Sequence, residues 1–558
     1  MNRMFDTHKI REEVSLDGVW DFRMDGADKV YAMPVPGCWE QHPDFARHRG
    51  VGVYTRSFYL RRNGNIRLVF KGVTHTGDVF FDGEHVAHHY NAYTPFCTII
   101  KNVKAGEHTL AVQADNRFSE ASALHVANDY FTYGGINRPV SYEYIGDAYI
   151  KYMHFTPAFV DGVWQGKAVV SVVSIADEEK TVTLTLSLAG VTHTATLTLA
   201  PNGEAIATFE GVYPEAVAWE PEAPKLYYAE ARIEGDGILD DLIDRVGFRV
   251  VEIIDKRYHI NGKKVFFKGL NRHEDYPIVG CAVPVQLMSH DLDLFRDMGA
   301  NAIRTSHYPN DERFLDMCDE RGFMVWEENH ARGLSLEQMQ NPNFERQCKD
   351  CIDEMIEAHF NHPSIVIWGI LNECASDTPE GKEMYARQYA QIKALDPSRP
   401  TTSASCKFFR DLCFGLPDSV SVNCYFNPLN HERFTYEPNH DVAELIADID
   451  SHEESAGKAF IASEFGEEAI YGFRELDGRA WSEENQRNML VDHVRAMMNN
   501  DRVSGLFIWM FADTRIDEER FCGYRPHCRN NKGVVDAYRR PKLSYDAVKQ
   551  LFLNHKVK

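Results

Sequence analysis

Residues 364–373 read SIVIWGILNE, an uninterrupted apolar run that ends in an amide and a carboxylate. The run is too apolar to lie in solvent, and such runs are typical of strands that are buried on both faces of a parallel sheet. We therefore predict a buried strand that delivers Asn372 and Glu373 to the edge of the sheet. The rest of the fold can be worked out from this strand.

Comparable apolar runs alternate with helical stretches throughout residues 252–558. This rhythm is typical of βα units, and about 300 residues suit a (β/α)8 TIM barrel. A doubly wound sheet is the alternative, but no Gly-rich phosphate loop follows any early strand. Within one βα unit, Asn310 is predicted to cap a helix that Gly322 ends. The predicted barrel strands are 265–267, 302–306, 323–326, 365–371, 420–422, 460–463 and 506–509.

The preceding residues show two kinds of β pattern. In residues 1–146, short aromatic and β-branched runs recur between turns, and Asp82-Gly83 is a strong hairpin signal. We predict a jelly-roll β-sandwich there. In residues 147–251, Thr or Ser alternates with mainly Val or Leu, which is typical of half-buried antiparallel strands and predicts an immunoglobulin-like β-sandwich. The expected domains are thus 1–146, 147–251 and 252–558.

Composition excludes several classes of protein. The chain has 558 residues, of which 44% are hydrophobic, and a formal net charge of −23. Nucleic-acid and anionic-membrane binding both depend on basic patches, so neither partner is expected. No segment approaches the roughly 20 apolar residues of a membrane span, and the N-terminal sequence has no apolar signal-peptide core. We expect a cytoplasmic protein whose 12 Cys are reduced and mostly buried.

The active site of a TIM barrel forms at the carboxyl ends of its strands. Carboxylates dominate the polar residues there, with His and aromatic residues around them. Paired carboxylates in such a cleft suit glycoside hydrolysis, in which one is protonated to donate and the other is ionised to attack. Glu373 and Glu464 are the best pair, because each follows a strongly apolar strand. The full set comprises residues 272–275, His307, Tyr308, Glu327, Glu328, Asn329, Asn372, Glu373, Asn423, Tyr425, Glu464 and Asp513.

Ordered motifs extend this interpretation along nearly the whole chain. They are WEP at 219–221, VGFR at 246–249, FKGLNRHED at 267–275, NAIRTSHYP at 301–309, NE at 372–373 and SEFG at 463–466. On these motifs the chain resembles glycoside hydrolase family 2, and within that family it resembles the β-glucuronidases most closely. The resemblance implies a retaining glycosidase that is often assembled as a homo-oligomer.

The resemblance also implies roles for individual residues. Glu464 would be the nucleophile that forms a covalent glycosyl-enzyme, and Glu373 would be the acid/base. Retention of configuration requires carboxyl groups about 5–5.5 Å apart. Asn372 would hydrogen-bond the sugar 2-hydroxyl, Tyr425 would hold the nucleophile ionised, and Trp509 would offer an apolar wall to the sugar ring.

A uronate substrate is indicated by Asn530 and Lys532 near the C-terminus. They resemble the Asn-x-Lys motif with which β-glucuronidases bind the C6 carboxylate of the sugar. A Lys charge and an amide donor favour an anion over the CH2OH of a neutral hexose. Arg525 and Arg529 are further cations nearby, and the sequence does not distinguish which of them faces the sugar.

Three more residues are candidates for substrate binding. Asp129 matches the aspartate that the first domain contributes to the sugar pocket of the family, so the site would need the domains packed together. His307 matches a family histidine close to the same pocket. Asn423, which follows a predicted barrel strand, completes the set.

No cofactor or metal is expected. Cys348 and Cys351 form a Cys-x-x-Cys pair, but they fall on one helical stripe with Phe344 and Met355, which indicates core packing. Cys522 and Cys528 have no second ligand pair for a zinc site, and no nucleotide or flavin motif is visible.

The predicted function is therefore a retaining β-glucuronidase that acts on small-molecule or oligosaccharide glucuronides. A β-galacturonidase or β-galactosidase would use the same chemistry, because side-chain placement decides between the epimers at the 4-hydroxyl. A non-catalytic carbohydrate-binding protein is an alternative of another class. The intact pair Glu373 and Glu464 argues against it, since a lectin has no use for two carboxylates that flank a glycosidic bond.

Overall fold

The first sandwich contains two antiparallel sheets that share one hydrophobic core. The computed structural model describes residues 2–426 and 437–556 of the chain. Trp20 and Tyr54 from one sheet pack with Leu68 from the other, which confirms a β-sandwich. The four-stranded sheet has the order Glu12–Ser15, Val140–Ile145, Gly64–Phe70 and Phe96–Val103. The six-stranded sheet has the order Tyr31–Val35, Gly18–Met24, Val51–Leu60, Gly106–Asp115, Thr76–Phe81 and Glu84–Tyr90.

The second sandwich follows the alternating pattern of its sequence. Val182, Leu184 and Leu186 are buried along one strand while the intervening residues face outwards. A three-stranded sheet has the order Ala148–Val160, Val163–Ser174 and Glu204–Tyr213, and a four-stranded sheet has the order Val191–Leu199, Lys180–Leu188, Tyr227–Gly235 and Ile238–Val246. A small sheet of Val251–Ile254, Arg257–Ile260 and Lys263–Lys264 precedes the barrel.

Eight later strands close into the predicted parallel barrel, and Thr514–Arg515 pairs with Arg529–Asn530 in a separate two-stranded ribbon. The first strand is Phe267–Asn271 rather than 265–267, and the last is Val503–Ile508 rather than 506–509. The other five predicted strands agree with the structure to within two residues at each end. The fifth strand, Thr401–Ser405, was not predicted because its sequence TTSAS is polar. In order, the barrel strands are Phe267–Asn271, Ala302–Arg304, Met324–Glu328, Ile365–Ile370, Thr401–Ser405, Ser419–Asn423, Ala459–Glu464 and Val503–Ile508.

The helices between the barrel strands bury one side each. The buried stripe of Phe344–His359 includes Cys348 and Cys351, as predicted.

The N-terminal cap of the helix Glu312–Arg321 was predicted wrongly. Asp311 is the capping residue and accepts from the backbone N–H of Arg313, because Arg272 engages the side chain of Asn310. The α-helices are Val285–Asp297, Glu312–Arg321, Leu336–Met339, Phe344–His359, Pro379–Leu395, Pro438–Ser451, Glu483–Asn499, Glu518–Phe521 and Leu543–Asn554. Short 3-10 turns are Trp39–Gln41, Pro43–Phe45, Phe408–Arg410 and Pro526–Cys528.

The cysteines depart from the prediction at one place. Cys522 and Cys528 form a disulfide, because the turn between them brings their Cα atoms to 4.6 Å, a separation that a disulfide can span. The expectation that every Cys is reduced is therefore wrong for this pair. Within the described residues, no helix combines the length and apolarity that a membrane span needs.

The first sandwich is fastened to the barrel by residues that follow its strand Gly106–Asp115. Arg138 donates to Glu274 at 2.9 Å, and the Tyr133 hydroxyl donates to Asp275 at 2.8 Å. Glu274 and Asp275 follow the first barrel strand, so the intervening segment lies over the carboxyl end of the barrel. This segment carries Asp129.

Candidate active site

Glu464 is the last residue of the seventh barrel strand and is buried. One carboxylate oxygen accepts from Arg304 Nη1 at 2.8 Å, and the other accepts from the Tyr425 hydroxyl at 3.2 Å. Burial raises the pKa of Glu464 to about 7, against the opposing charge of Arg304, and the nearby charge of Glu373 raises it as well. The carboxylate is thus oriented by two donors and protonates near neutral pH.

Arg304 organises this part of the site from the end of the second barrel strand. Its guanidinium is fully buried and donates to both oxygens of Glu328, at 2.8 and 3.0 Å. It also donates to the side-chain oxygens of Asn271 at 2.9 Å and Asn372 at 2.8 Å. A rigid fork of this kind fixes several acceptors at once, so Glu464 and Asn372 are held in one network.

Glu373 follows the fourth barrel strand in a left-handed backbone conformation, with φ at 54°. Its Oε1 accepts from Asn423 Nδ2 at 2.9 Å, and its Oε2 lies 3.3 Å from Arg332 Nη2. Left-handed backbone in a residue other than Gly is uncommon and is often found at functional sites. The turn points this carboxyl group to the mouth of the barrel, beside the network that holds Glu464.

Asn372 has one free donor at the site. Its side-chain oxygen is engaged by Arg304, whereas Nδ2 is buried without a hydrogen-bond partner among the described residues. A buried amide N–H normally has a partner, so this donor is available to a hydroxyl of a bound sugar.

His307 and Trp509 form one wall of the site. Their rings stack with centroids 4.9 Å apart, and His307 Nδ1 lies 3.1 Å from Glu328 Oε1. Burial lowers the pKa of His307 well below its usual value, and the charge of Arg304 lowers it further. The imidazole is therefore neutral near pH 7.

A second group of charges surrounds Asp129. One carboxylate oxygen accepts from Asn530 Nδ2 at 3.0 Å and from Arg525 Nη2 at 3.2 Å, and the other lies 3.5 Å from Arg332 Nη2. Burial opposes ionisation, but Arg332 and Arg525 together lower the pKa of Asp129. Arg332 thus joins Asp129 to Glu373, which places the first-domain carboxylate in the same site.

Lys532 lies on the other side of this group. Its ammonium donates to the Gly466 carbonyl oxygen at 3.3 Å, lies 3.1 Å from Glu468 Oε1 and sits 5.1 Å from the centre of the Tyr425 ring. An ammonium has three N–H donors, so these two polar contacts leave one for a ligand anion.

The structure brings ten of the predicted residues together at the carboxyl end of the barrel: Asp129, His307, Asn372, Glu373, Asn423, Tyr425, Glu464, Trp509, Asn530 and Lys532. Glu327 and Asp513 have other partners, His359 and Lys542 respectively. Arg525 contacts Asp129, whereas Arg529 lies in a two-stranded ribbon, where it pairs with Arg515. Sequence reasoning missed Arg304 and Arg332. A charged residue inside the apolar run at 302–306 was a signal for Arg304, because a charge buried in a strand needs a partner. Arg332 follows the third strand in a loop and gave no such signal.

One group of side chains has the composition of a metal site. Asp316, Asp319 and His362 lie close enough to share an ion, and they are the one such group in the described part of the chain. However, Arg3 donates to both oxygens of Asp316, and Asp319 accepts from His362 and from the Ser364 N–H. These partners satisfy the group as a network of ion pairs and hydrogen bonds.

Family models match two parts of the chain. Residues 251–557 match the TIM barrel domain of glycosyl hydrolases family 2, and residues 12–144 match the sugar-binding domain of the same family. The chain belongs to glycosyl hydrolase family 2. The barrel match alone covers more than half of the sequence, and it contains both candidate catalytic glutamates.

Individual relatives of this family 2 chain are named for two uronic acids. A family 2 β-galacturonidase from Eisenbergiella tayi, solved with galacturonate, is 46% identical with a TM-score of 0.95 and 99% coverage of both chains. A Bifidobacterium dentium β-glucuronidase, solved with coumarin-3-O-glucuronide, is 26% identical with a TM-score of 0.86, covering 99% of this chain and 98% of that one. The β-glucuronidase of Sus scrofa is 27% identical over 95% of this chain and 89% of its own length.

Proposed function

We propose that this protein is a retaining β-hexuronidase that releases a β-linked uronic acid by double displacement. The observation that carries the proposal is the pair Glu373 and Glu464, held at one barrel mouth by different partners and adjoining a cluster of cations. Glu464 would be the nucleophile and Glu373 the acid/base. A binding protein gains nothing from two carboxylates placed in this way.

In the first step, Glu464 attacks C1 of the sugar while Glu373 gives its proton to the leaving oxygen. Arg304 and Tyr425 orient the attacking carboxylate through their hydrogen bonds. The free Nδ2 of Asn372 would donate to the 2-hydroxyl, an interaction that lowers the barrier if it strengthens in the transition state.

In the second step, water attacks C1 and Glu373 takes its proton. Glu373 and Glu464 repel each other when both are ionised. Esterification of Glu464 removes one of these charges before Glu373 must act as a base. The released sugar keeps its β configuration.

The uronate specificity rests on Lys532, Asn530 and Arg525. Each offers N–H donors around Asp129 and Glu468, where a sugar C6 carboxylate would be bound by charge-assisted hydrogen bonds. A neutral CH2OH group would gain much less from these cations.

Between the two epimers, we propose galacturonide as the preferred substrate. Its support is the 46% identity to the Eisenbergiella tayi β-galacturonidase over 99% of both chains, against 26% to the Bifidobacterium dentium β-glucuronidase. Glucuronide, which the sequence motifs predicted, is the second candidate. It is supported by curated relatives named β-glucuronidase that cover 95% of this chain.

The test is hydrolysis of p-nitrophenyl β-galacturonide, β-glucuronide and β-galactoside by the purified protein, with Lys532→Ala alongside. We expect the galacturonide to have the highest kcat/KM, and Lys532→Ala to lower it by roughly a hundredfold with little effect on the galactoside. NMR of the first product should show the β anomer.

Three results would contradict parts of the proposal. Preference for the glucuronide would change the epimer and leave the uronidase intact. A galactoside cleaved best, with no effect of Lys532→Ala, would exclude uronate recognition. An α anomer as the first product would exclude double displacement.

A further inference from the structure

The end of the fifth barrel strand, Thr401–Ser405, has no role in the site as proposed above. This strand lies between the fourth strand, which Glu373 follows, and the sixth strand, which ends at Asn423. The backbone N–H of Glu373 donates to the Ala404 carbonyl oxygen at 2.8 Å. The chain that continues from the fifth strand, residues 406–411, therefore starts beside the candidate acid/base. We call these residues the strand-5 segment.

The leaving group of a bound uronide is expected on this side of the site. It must lie beside Glu373, which gives its proton to the leaving oxygen. Lys532, which is proposed to bind the C6 carboxylate, comes from the chain after the eighth strand, and the first strand is covered where Arg138 donates to Glu274. The fifth strand is on the far side of the closed barrel from these two strands. The leaving group therefore projects over the strand-5 segment.

Two cations of the strand-5 segment have no side-chain hydrogen bond to any described residue. Lys407 Nζ lies 3.6 Å from Asp377 Oδ1, and Arg410 Nη1 lies 3.8 Å from Asp377 Oδ2, and both separations exceed hydrogen-bond distance. The side chain of Lys407 is 22% exposed and that of Arg410 is 72% exposed. An ammonium has three N–H donors and a guanidinium has five. The two cations share one carboxylate at long range and keep these donors for a ligand.

The acid within the strand-5 segment is engaged elsewhere. Asp411 Oδ2 accepts from the hydroxyls of Ser376 and Ser405. Among the described residues, no ion pair joins Asp411 to Lys407 or Arg410, whose shared partner is Asp377. The hydrogen bonds of Asp411 instead fasten the segment to the chain that follows the candidate acid/base.

The backbone of the strand-5 segment has an uncommon conformation. Phe408 has φ at 49°, and its side chain is buried. A bulky residue in left-handed backbone is strained, and such strain persists only where the surrounding structure maintains it, often at functional sites. The buried ring anchors the 3-10 turn Phe408–Arg410. The turn that carries both cations is thus held beside the site.

We propose that Lys407 and Arg410 bind a carboxylate on the leaving group, so that the enzyme acts on acidic oligosaccharides in which the released uronic acid is β-linked to a second uronic acid. The inference rests on the proposed function and extends it to the other side of the cleaved bond. Charge-assisted hydrogen bonds from an ammonium and a guanidinium favour a carboxylate over a neutral CH2OH group. A neutral leaving group would leave the two cations with Asp377 as their shared anion.

The experiment compares two disaccharides that differ only at C6 of the second sugar. In both, the uronic acid that wild type releases fastest from its p-nitrophenyl β-glycoside is β-linked through the same hydroxyl to a second sugar. That sugar carries a carboxylate in one disaccharide and CH2OH in the other. The variants are Lys407→Gln, Arg410→Gln and Asp377→Asn. Arg387→Gln is the matched control, since Arg387 is an exposed arginine on the helix between the fourth and fifth strands.

Wild type is expected to cleave the acidic disaccharide with a kcat/KM about tenfold above that of the neutral one, and added salt should narrow the ratio. Lys407→Gln should lower kcat/KM for the acidic disaccharide by roughly tenfold. Arg410→Gln should lower it by roughly threefold, because this side chain is more exposed. Both should affect the neutral disaccharide much less. Asp377→Asn should raise kcat/KM for the acidic disaccharide, since it frees both cations, and Arg387→Gln should change neither substrate.

The inference is overturned if wild type cleaves the neutral disaccharide as well as the acidic one or better. It is also overturned if Lys407→Gln and Arg410→Gln change kcat/KM for both disaccharides by the same factor. Cleavage of the p-nitrophenyl β-uronide without cleavage of either disaccharide would overturn it as well. Failure of the proposed function is a different result, in which no p-nitrophenyl β-uronide is cleaved at all.

Discussion

Two buried networks in the molecule pair arginines with carboxylates, but they shift the pKa of the central carboxyl group in opposite directions. In the candidate site, Arg304 is shared between Glu464 and Glu328, and Glu373 adds a like charge nearby. Beneath the second sandwich, Asp316 accepts two hydrogen bonds from Arg3 Nε and Nη2 and lies 3.3 Å from Arg245 Nη2. Glu464 shares its contacting arginine with Glu328, whereas Asp316 is contacted by two arginines, which also reach Asp244 and Glu320.

The balance of charge sets the state of each carboxyl group. Burial raises the pKa of Glu464 to about 7, because the shared guanidinium of Arg304 and the weaker effect of Arg332 do not offset it. Burial acts on Asp316 as well, but Arg3 and Arg245 hold its pKa well below the usual range. The first arrangement leaves a carboxylate able to titrate near neutral pH, whereas the second holds it ionised as part of an ion-pair network between domains.

The largest difference between the two networks is expected when the central carboxylate of each is replaced by an amide. Glu464→Gln should lower kcat by at least about 10⁴-fold, since it removes the nucleophile, and should leave the fold stable. Asp316→Asn should leave kcat within about twofold but destabilise the protein by about 3 kcal/mol, because Arg3 loses its buried partner. Steady-state kinetics and urea unfolding measure both. More than one percent residual activity in Glu464→Gln would exclude the nucleophile assignment.

The arginines provide the next contrast. Arg304→Gln should lower kcat by roughly 10²–10³-fold, since a fixed donor to the reacting carboxylate and to Asn372 is lost. Arg3→Gln is the matched control, because it removes a buried guanidinium from the other network; it should affect the urea midpoint and not kcat. Equal kinetic effects of the two substitutions would show that Arg304 has only a structural role.

The pH profile should report the reactive carboxylate. Glu464 must be ionised to attack, and its pKa is raised to about 7, so kcat/KM should fall as the pH drops below that value. While Glu373 holds the proton that it must donate, the decline is tenfold per unit once Glu464 is mostly protonated, so kcat/KM at pH 5 should be roughly tenfold below that at pH 6. An acid limb centred near pH 4.5, the ordinary value for Glu, would contradict this account.

The smallest predicted effect is a change in the free energy of unfolding with pH. It comes from uncharged imidazoles between the first sandwich and the barrel. The rings of His75, His125 and His330 stack with centroids 4.4 and 4.2 Å apart. Burial lowers the pKa of His75 to about 4, so below pH 6.5 the unfolded chain binds a proton that the folded chain does not. Acid should therefore destabilise the fold by up to about 1.4 kcal/mol per pH unit through this group.

His75→Phe tests this contribution, because it keeps an aromatic ring and removes the proton site. Unfolding free energy measured by urea between pH 6.5 and 5 should fall less steeply in the variant than in wild type. Identical slopes would show that His75 does not contribute to acid sensitivity.

Much of the fold could be predicted because burial in a parallel barrel demands apolar strands. The fifth strand, Thr401–Ser405, was not predicted because it is polar. Its polar side chains can be buried because they hydrogen-bond to the neighbouring strand, as where Thr402 Oγ1 donates to the Ser419 carbonyl oxygen at 2.9 Å. The helix cap was wrong by one residue, since Asn310 and Asp311 are equally good capping residues and only the contact from Arg272 decides between them.

Residues of the candidate site could be predicted where the residue type and its place after a strand suggested a chemical role. Glu464 ends an apolar strand and Glu373 follows another, so the sequence could place both carboxylates at the mouth of the barrel. Arg304 and Arg332 were not found, because a sequence does not show which carboxylates face an arginine across neighbouring strands. The disulfide between Cys522 and Cys528 was missed for the same reason, as it depends on the turn that brings them together.

Asp129 reaches the site from the first sandwich, outside the barrel that holds both glutamates. On the proposed function, the pocket is complete only in the assembled chain, and a barrel transplanted alone would lose part of its specificity. Anyone who trims or grafts this enzyme must keep the strandless segment that carries Asp129. On the same proposal, substrate choice could change through substitutions in a domain that contains neither Glu373 nor Glu464.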